Sequence, residues 1–289
     1  MTQSNFNLIE IAHLLKLKWK TITLFAIVSA LAATIALFTV KPKYESAITV
    51  LAANSLLSDK ARIFNQQIKD LYGNFGNGDD LDRIIGIAEM DITLKKIVTD
   101  YKLVTYYEIK EANNNAAIEK ALLKLRKELK FTKTAKDQLI VSCLSKNQQL
   151  AANIPNAIIA FTNEKIQSIT KTNYERIVQQ LDTASNTLKL AYTNTANSIQ
   201  SKTSSSANTV LLNQEANTML AQLDQYKKTK EEYQLAIKTI PSTIEIIEPA
   251  TLSPQPTWPN KPIIIAIAAI AAALFASLLI IANNPSKQL

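Results

Sequence analysis

The chain has 289 residues and a formal net charge of +8 at pH 7, with 47% hydrophobic residues, one histidine (His13) and one cysteine (Cys143). This inventory excludes an internal disulfide, a zinc site with several Cys or His ligands, and a Ser-His-Asp triad outside the N-terminal tail. No lysine follows a glycine, which excludes the phosphate loop of nucleotide hydrolases, so the sequence predicts no enzyme activity, no metal and no cofactor.

The first predicted element is a transmembrane helix at residues 21–40, which follows a cytoplasmic tail of residues 1–20. Its twenty uncharged residues would span roughly 30 Å as a helix, the thickness of a bilayer's hydrocarbon core. A cleaved signal peptide is the alternative, but its apolar region is shorter, and Thr39–Pro42 lacks the small residues of a cleavage site. Trp19 precedes the helix and is predicted to anchor it at the membrane interface.

Residues 41–146 are predicted to form the first part of an α/β base. Apolar periodicity predicts strands at Tyr44–Leu51 and Gln138–Leu144, a β-prone segment at Tyr101–Ile109, and helices at residues 58–71, 81–98 and 115–130. Residues 73–78, GNFGNG, are predicted to form a flexible loop. Asp79 and Asp80 are interpreted as the start of the following helix, where carboxylates complement the helix dipole. Cys143 is interpreted as a small buried side chain.

Residues 147–240 contain no glycine and one proline, Pro155, and are predicted to form a long helical, coiled-coil region. Two runs of mostly apolar residues step by three and four positions, which is typical of a coiled-coil seam. The first is Tyr174, Ile177, Leu181, Ala184, Leu188 and Ala191; the second is Leu212, Ala216, Met219, Leu223, Tyr226, Lys230, Tyr233, Ile237 and Ile240. Residues 198–209 lose this periodicity, which favours a turn and a helical hairpin; one continuous helix is the alternative. Glu231 and Glu232 are interpreted as a solvated flank of this region.

The last strand of the base is predicted at Ser242–Ala250. Its pattern places Ile244 and Ile246 on one face and Glu245 on the other, with Ile247 out of phase. This strand and the strand that follows the first span lie at opposite ends of the loop. The economical arrangement of these strands is one small mixed sheet near the membrane, with helices on one face.

A proline-rich segment follows and completes the base, which ends at residue 262. Its prolines before the second span are Pro254, Pro256, Pro259 and Pro262. Because proline fixes φ and excludes helix, we expect a stiff extended strut that sets the distance between sheet and bilayer, with Pro262 in the first turn of the next helix. Trp258 is the second predicted interface anchor.

The second transmembrane helix is predicted at residues 263–282, before a cytoplasmic tail of residues 283–289. Small residues recur at four-residue spacing in both spans, namely Ser29 and Ala33 in the first and Ala268, Ala272 and Ala276 in the second. Such rows favour close helix packing, although lipid-facing alanines are the alternative. Lysines near the spans favour cytoplasmic tails. The predicted fold class is an α+β membrane protein, with two transmembrane helices flanking a periplasmic domain that combines a small membrane-proximal mixed sheet with a long helical excursion.

Both ends of the chain resemble one family. The N-terminal segment NLIEIAHLLKLKWKTI, a span and then PKYESAITVL resemble the start of the chain-length determinant (Wzz-type) polysaccharide co-polymerases. The end, EPATLSPQPTWPNKPIIIAIAAI, is similar to the strand, proline motif and second span of that family. The absence of glycine from the second span departs from the family pattern. Because the sequence stops seven residues past residue 282, the resemblance is to the kinase-less type.

The resemblance implies an inner-membrane scaffold of a Gram-negative-type bacterium, with most of the chain in the periplasm. Such a protein forms a homo-oligomeric ring and regulates the chain length of a surface polysaccharide: O-antigen (in lipopolysaccharide biosynthesis), capsule or exopolysaccharide. The implied partners are a polysaccharide polymerase or export machinery, the glycan itself and a separate cytoplasmic tyrosine kinase, with no nucleic acid.

Three other functions fit parts of the sequence. A periplasmic adaptor of an export complex also carries a helical hairpin, but its β-domains are usually glycine-rich, and this chain has four glycines. A two-span sensor needs a cytoplasmic output domain, for which the C-terminal tail leaves no room. A regulatory membrane subunit of a separate tyrosine kinase overlaps with the function that the resemblance implies.

Overall fold

The computed structural model describes residues 13, 15–53, 78–201 and 206–283. Its contacts divide the chain into two compact units. The first, the span unit, comprises Met1–Ser46, Leu144–Ala152 and Leu252–Leu289; the second, the sheet unit, comprises Ala47–Cys143 and Asn153–Thr251. The predicted helix at residues 58–71 and nearly all of the predicted loop at residues 73–78 lie outside the described residues.

Helices and strands alternate irregularly along the described part of the chain. In chain order they are α1 (Trp19–Thr39), β1 (Tyr44–Ala52), α2 (Gly78–Ala88), α3 (Asp91–Asp100), α4 (Leu103–Tyr106), α5 (Asn114–Glu128), β2 (Leu129–Lys133), β3 (Leu139–Ser145), α6 (Gln148–Ser201), α7 (Ser206–Lys238), β4 (Ile244–Glu248) and α8 (Lys261–Asn283).

In the span unit, α1 and α8 are both long enough and apolar enough to cross a membrane. They pack against each other, yet most of their large side chains, such as Leu31, Ile35 and Leu278, remain exposed. A helix pair with apolar residues on its outer surface is suited to lipid rather than to water. The chain is therefore a two-span membrane protein.

In the sheet unit, a four-stranded sheet has the order β2-β3-β1-β4. The β1–β4 and β2–β3 pairs are antiparallel. The core includes Ile48, Val50, Leu139 and Val141 from the two central strands, together with residues of α2 and α6. Full burial of such side chains contributes about 1.5–3 kcal/mol each, so this layer is the main source of stability in the unit. Cys143 is buried in β3, as predicted.

Two asparagines of α6 fix the ends of β4. Asn163 Oδ1 accepts a hydrogen bond from Thr243 N at 2.9 Å. Seven residues earlier in the helix, Asn156 Oδ1 accepts from Ala250 N at 3.0 Å and Asn156 Nδ2 donates to Ala250 O at 2.9 Å. These bonds satisfy backbone groups just outside the strand and hold β4 at the edge of the sheet.

The predicted alternation of β4 is wrong in part. Ile244 is buried, but Ile246 is 52% exposed and Ile247 47% exposed. The register passes from Thr49–Glu248 to Val50–Ile246, so Ile247 is the extra residue of a β-bulge. Ile246 is opposite the buried Val50, and it stays exposed because it lies on the outermost strand.

Three other local predictions need correction. The helix predicted over residues 81–98 is interrupted after Ala88, where Thr93 Oγ1 donates to Ile87 O at 2.7 Å. The β-prone segment Tyr101–Ile109 contains the short helix α4, because burial of Leu103 and local backbone hydrogen bonds override its β propensity. The helix predicted to reach residue 130 ends at Glu128, and β2 follows at once. By contrast, Asp79 and Asp80 lie in the first turn of α2, as expected.

The helices α6 and α7 form an antiparallel hairpin in the sheet unit. The rings of Tyr174 and Tyr233 meet edge to face at 5.4 Å, and Lys230 Nζ lies 2.6 Å from Asp182 Oδ1. Moving forward along α6 is thus moving backward along α7, which settles the two alternatives in favour of the hairpin. All four residues lie in or beside the predicted heptad seams. The connecting residues 202–205 are outside the described part of the chain.

These elements confirm the predicted fold class in its main features. Two apolar helices flank a domain that combines a small sheet with long helices. At about 1.5 Å per residue, α6 alone is roughly 80 Å long. Asn147 caps its N-terminus, with Oδ1 accepting from Gln149 N at 2.8 Å and Leu150 N at 3.3 Å.

Candidate functional site

The two chain segments next to the spans meet in an antiparallel β-bridge between Lys43 and Trp258. Lys43 N donates to Trp258 O at 2.8 Å, while Lys43 O accepts from Thr257 N at 2.9 Å and Trp258 N at 3.2 Å. Glu45 N donates to Thr257 Oγ1 at 3.3 Å. We call Lys43, Glu45, Thr257 and Trp258 the membrane clip. Its bonds join the chain just after α1 to the chain just before α8.

Two lysines reinforce this junction by lying over aromatic rings of the opposite segment. Lys43 Nζ is 5.8 Å from the centre of the Trp258 ring, and Lys261 Nζ is 5.1 Å from the centre of the Phe38 ring. Such contacts contribute about 0.5–1 kcal/mol at exposed sites. Aromatic rings with cations beside them are typical of the interface between hydrocarbon and headgroups.

The proline-rich segment has no helix and one bridge residue, Trp258. Pro254 and Pro256 are exposed, whereas Pro259 is buried and follows a cis peptide bond. Pro262 is the second residue of α8, where a missing N–H costs no helical hydrogen bond. Gln148 Nε2, at the start of α6, donates to Ser253 O at 3.1 Å. That bond ties the segment to a second place in the span unit.

Small residues lie between the two spans. Ser29 Oγ donates to Ala268 O at 3.1 Å, which is a direct hydrogen bond from one span to the other. One turn further along each helix, Ala33 and Ala272 are half-buried, and Ala276 is almost fully buried. The residues predicted for packing therefore lie on the facing sides of α1 and α8, where small side chains let the backbones approach.

The two tryptophans lie at opposite ends of the span pair. Because α1 and α8 run antiparallel, Trp19 at the start of α1 is far from Trp258, which precedes α8. Both indole rings are more than one-third exposed. This placement suits one ring for each face of a bilayer.

Outside the spans, one titratable group is strongly perturbed. Burial, and next the hydrogen bond from Tyr107 Oη to Glu128 Oε2 at 2.7 Å, raise the pKa of Tyr107 well above its usual range. Lys124 Nζ lies 5.5 Å from the centre of the same ring and donates to Tyr107 O at 3.2 Å. The group stays protonated at neutral pH, so its role is structural. Among the described residues, no three His, Cys, Asp or Glu side chains are grouped as metal ligands.

A groove of about 290 Å³ runs between α6 and α7. Its lining includes Asp182, Lys189, Asp224, Lys227 and Lys230. Two of the charges in the groove already pair with each other, Lys230 with Asp182. The groove therefore offers polar contacts of both signs without a strong electrostatic preference for one kind of ligand.

The sequence indicated Trp258 as an anchor but did not indicate its partners Lys43, Thr257 and Gln148. A signal was available in the spacing. Lys43 follows the end of α1 by four residues and Trp258 precedes α8 by three. In an antiparallel pair of spans, residues at similar distances from the two adjacent ends lie opposite each other.

Comparison with known proteins gives a match at the N-terminal end. Residues 4–86 match the family model described as "Chain length determinant protein". No curated protein matches the chain.

Several solved structures are similar in layout. A full-length bacterial polysaccharide co-polymerase is 14% identical, with 97% of this chain and 100% of that chain covered and a TM-score of 0.43. A fragment of WzzB, a polysaccharide co-polymerase from Salmonella Typhimurium, is 15% identical, with coverages of 75% and 100% and a TM-score of 0.37. The wild-type lipopolysaccharide O-antigen chain-length regulator WzzBSF of Shigella flexneri is 12% identical, with coverages of 72% and 97% and a TM-score of 0.27.

Proposed function

This chain carries the N-terminal region of the chain length determinant family over residues 4–86, and from that premise we propose that it is an inner-membrane scaffold that sets the length of a surface polysaccharide. The family match confirms the resemblance stated from the sequence, and it is the observation that carries the proposal. The polysaccharide is O-antigen, capsule or exopolysaccharide, made of repeat units that a separate polymerase joins.

The anchoring geometry supports a scaffold. The membrane clip and the Ser29–Ala268 bond fix the two spans to each other at one end and within the bilayer. A scaffold acts by holding partners at a defined geometry, which requires that its own membrane anchor does not shear. Scaffolding of this kind needs no bond chemistry, so we assign the chain no catalytic residue.

We place both tails in the cytoplasm and the bulk of the chain in the periplasm of a Gram-negative-type bacterium. Lysines near the spans and a tryptophan at each end of the span pair support this placement. Copies of the chain assemble into a homo-oligomeric ring around, or beside, the polymerase or export machinery. The growing glycan and a separate cytoplasmic tyrosine kinase are further partners.

The test is the length distribution of surface polysaccharide, resolved on a stained gel, in a strain that lacks this protein. Polymer that persists but loses or shifts its modal length supports the proposal. The wild-type gene must restore the original distribution. Unchanged length, amount and location of the polymer would contradict it.

A periplasmic export adaptor is the second candidate, and the α6–α7 hairpin is the observation that favours it. The same gel decides between the two, provided that surface and intracellular fractions are run separately. An adaptor's loss traps polymer of normal length inside the cell, whereas loss of a length regulator leaves the polymer at the surface with altered lengths.

A further inference from the structure

The sheet has two edge strands, β2 and β4, and these edges differ in chemistry. Each strand has five residues and no proline. An edge strand presents unpaired backbone N–H and C=O groups, and proteins usually protect such edges with charges, prolines or covering segments. How each edge is composed therefore indicates whether another strand is expected there.

The β4 edge is apolar at its centre and acidic on both sides. Ile246 and Ile247 are about half exposed, between the exposed carboxylates of Glu245 and Glu248. Ile246 pairs with Val50, which is fully buried, so the apolar face of the sheet continues to Ile246 without being covered there. Two neighbouring exposed isoleucines on an edge strand form a template for another strand.

The β2 edge is basic on both sides. Lys130 is exposed, and Lys133 Nζ lies 3.2 Å from Asp82 Oδ2 on the protein surface. Between the lysines, Phe131 is half-buried and pairs with the fully buried Val141. This edge also continues the apolar face of the sheet to a side chain that is not fully covered.

The two edges are complementary in order and in spacing. One reads Lys-Phe-Thr-Lys from Lys130, and the other reads Glu-Ile-Ile-Glu from Glu245. Because the charges are three residues apart in both strands, both lysines can face both glutamates in one register, whether the strands run parallel or antiparallel. Opposite charges and apolar pairs directly across two strands each stabilise the pairing.

We propose that the β4 edge of one copy pairs with the β2 edge of the next, so that the sheets of neighbouring copies join into one continuous sheet. This inference rests on the homo-oligomer of the proposed function and names the surface that builds it. The contact is head to tail, since it uses two different patches, and repetition of such a contact closes a ring when the rotation allows. On assembly, Lys133 takes a glutamate of the next copy as a further partner beside Asp82.

Disulfide trapping in membranes tests the pairing directly. The full-length chain with Thr132→Cys and Ile246→Cys is oxidised in membranes, and the products are separated without reductant. We expect a ladder of dimers, trimers and larger species, because each copy carries both halves of the contact. The native Cys143 is fully buried and stays in place. The matched control combines Thr132→Cys with Ile92→Cys, since Ile92 is 56% exposed on α3, and gives no ladder.

Charge reversal gives an independent measurement. Glu245→Lys together with Glu248→Lys places like charges opposite each other, and we expect the assembled fraction, measured by native mass spectrometry in detergent, to fall about tenfold. Adding Lys130→Glu and Lys133→Glu restores it. The control with the same charge change, Glu215→Lys and Glu231→Lys on exposed positions of α7, leaves assembly unchanged.

Two outcomes overturn the pairing. One is an assembled wild-type chain that gives no ladder with the Thr132 and Ile246 cysteines, which shows that copies meet through another surface. The other is a reversal whose loss of assembly is not restored by the compensating changes. Neither touches the polysaccharide gel, which tests the proposed function separately. A wild-type chain that stays monomeric removes both this pairing and the ring.

Discussion

Lys43 N and Trp258 O are 2.8 Å apart, and this bond joins residues that lie just outside two different membrane spans. The bond depends on the backbone, so most side-chain replacements at Lys43 leave it in place. Proline is the exception, because it has no N–H to donate. This makes the clip accessible to a specific test.

Lys43→Pro should weaken the membrane clip. It removes the donor to Trp258 O as well as the cation over the Trp258 ring. A lost backbone hydrogen bond with an acceptor left unpaired costs about 1–3 kcal/mol. We expect broader polysaccharide length distributions on the gel and faster proteolysis near residue 257. The control is Lys41→Pro, which introduces the same residue outside the bridge; equal effects of the two variants would show that the clip has no special role.

The packing of the spans predicts a difference between two adjacent alanines. Ala272 is half-buried on the side of α8 that faces α1, whereas Ala271 is exposed. Ala272→Leu overpacks the helix contact, at a cost of about 1–3 kcal/mol. We expect a lower melting temperature of the full chain in detergent for Ala272→Leu and no change for Ala271→Leu. If Ala271→Leu is the more damaging of the two, the facing side of α8 has been assigned wrongly.

Tyr107→Phe should change the alkaline stability of the protein. Burial and the bond to Glu128 raise the pKa of Tyr107 in the folded state above the unfolded value of about 10. The folded state therefore resists loss of this proton, and the stability is present below about pH 10 and is lost as pH rises further.

We expect the free energy of unfolding of the wild-type chain, measured in detergent, to fall more steeply above about pH 10 than that of Tyr107→Phe. At pH 7 the variant loses one hydrogen bond, which costs about 1 kcal/mol. Tyr192→Phe, on α6 and away from Glu128, is the matched control for tyrosine ionisation in general. Parallel pH curves for wild type and Tyr107→Phe would refute the assignment.

Lys230→Leu should stabilise the hairpin. Lys230 interrupts the second heptad seam, and its ion pair with Asp182 is partly exposed and worth about 0–1 kcal/mol. A leucine buried in the seam contributes about 1.5–3 kcal/mol, so burial outweighs the lost pair. We expect slower hydrogen exchange in α6 and α7. Lys228→Leu removes a more exposed lysine, paired with Asp224 on the same helix, and should give no such protection.

The elements that local patterns define were predictable from the sequence. Both spans, β1, β3 and the two heptad seams follow from apolar composition or periodicity within one segment. The strand β2 was not, because Leu129–Lys133 follows a helix without a proline or glycine to mark the change. What makes it a strand is its pairing with β3, in which Phe131 is opposite Val141.

The same limit applies to the candidate site. The prolines and Trp258 stand out in the sequence, but their partners belong to segments more than a hundred residues away. Nothing in the local pattern around Lys43 or Gln148 indicates which backbone group it meets. The exposure of Ile246 is equally a property of the strand order, since the same residue on a central strand would be buried.

The membrane clip has a consequence for how the protein responds to damage. By closing the extramembrane chain on itself at its base, it makes that part of the molecule effectively circular. A single cut anywhere in the loop then leaves two fragments that remain joined through the clip and through the paired spans. Their ends stay at a high effective concentration, so the fragments can still fold together.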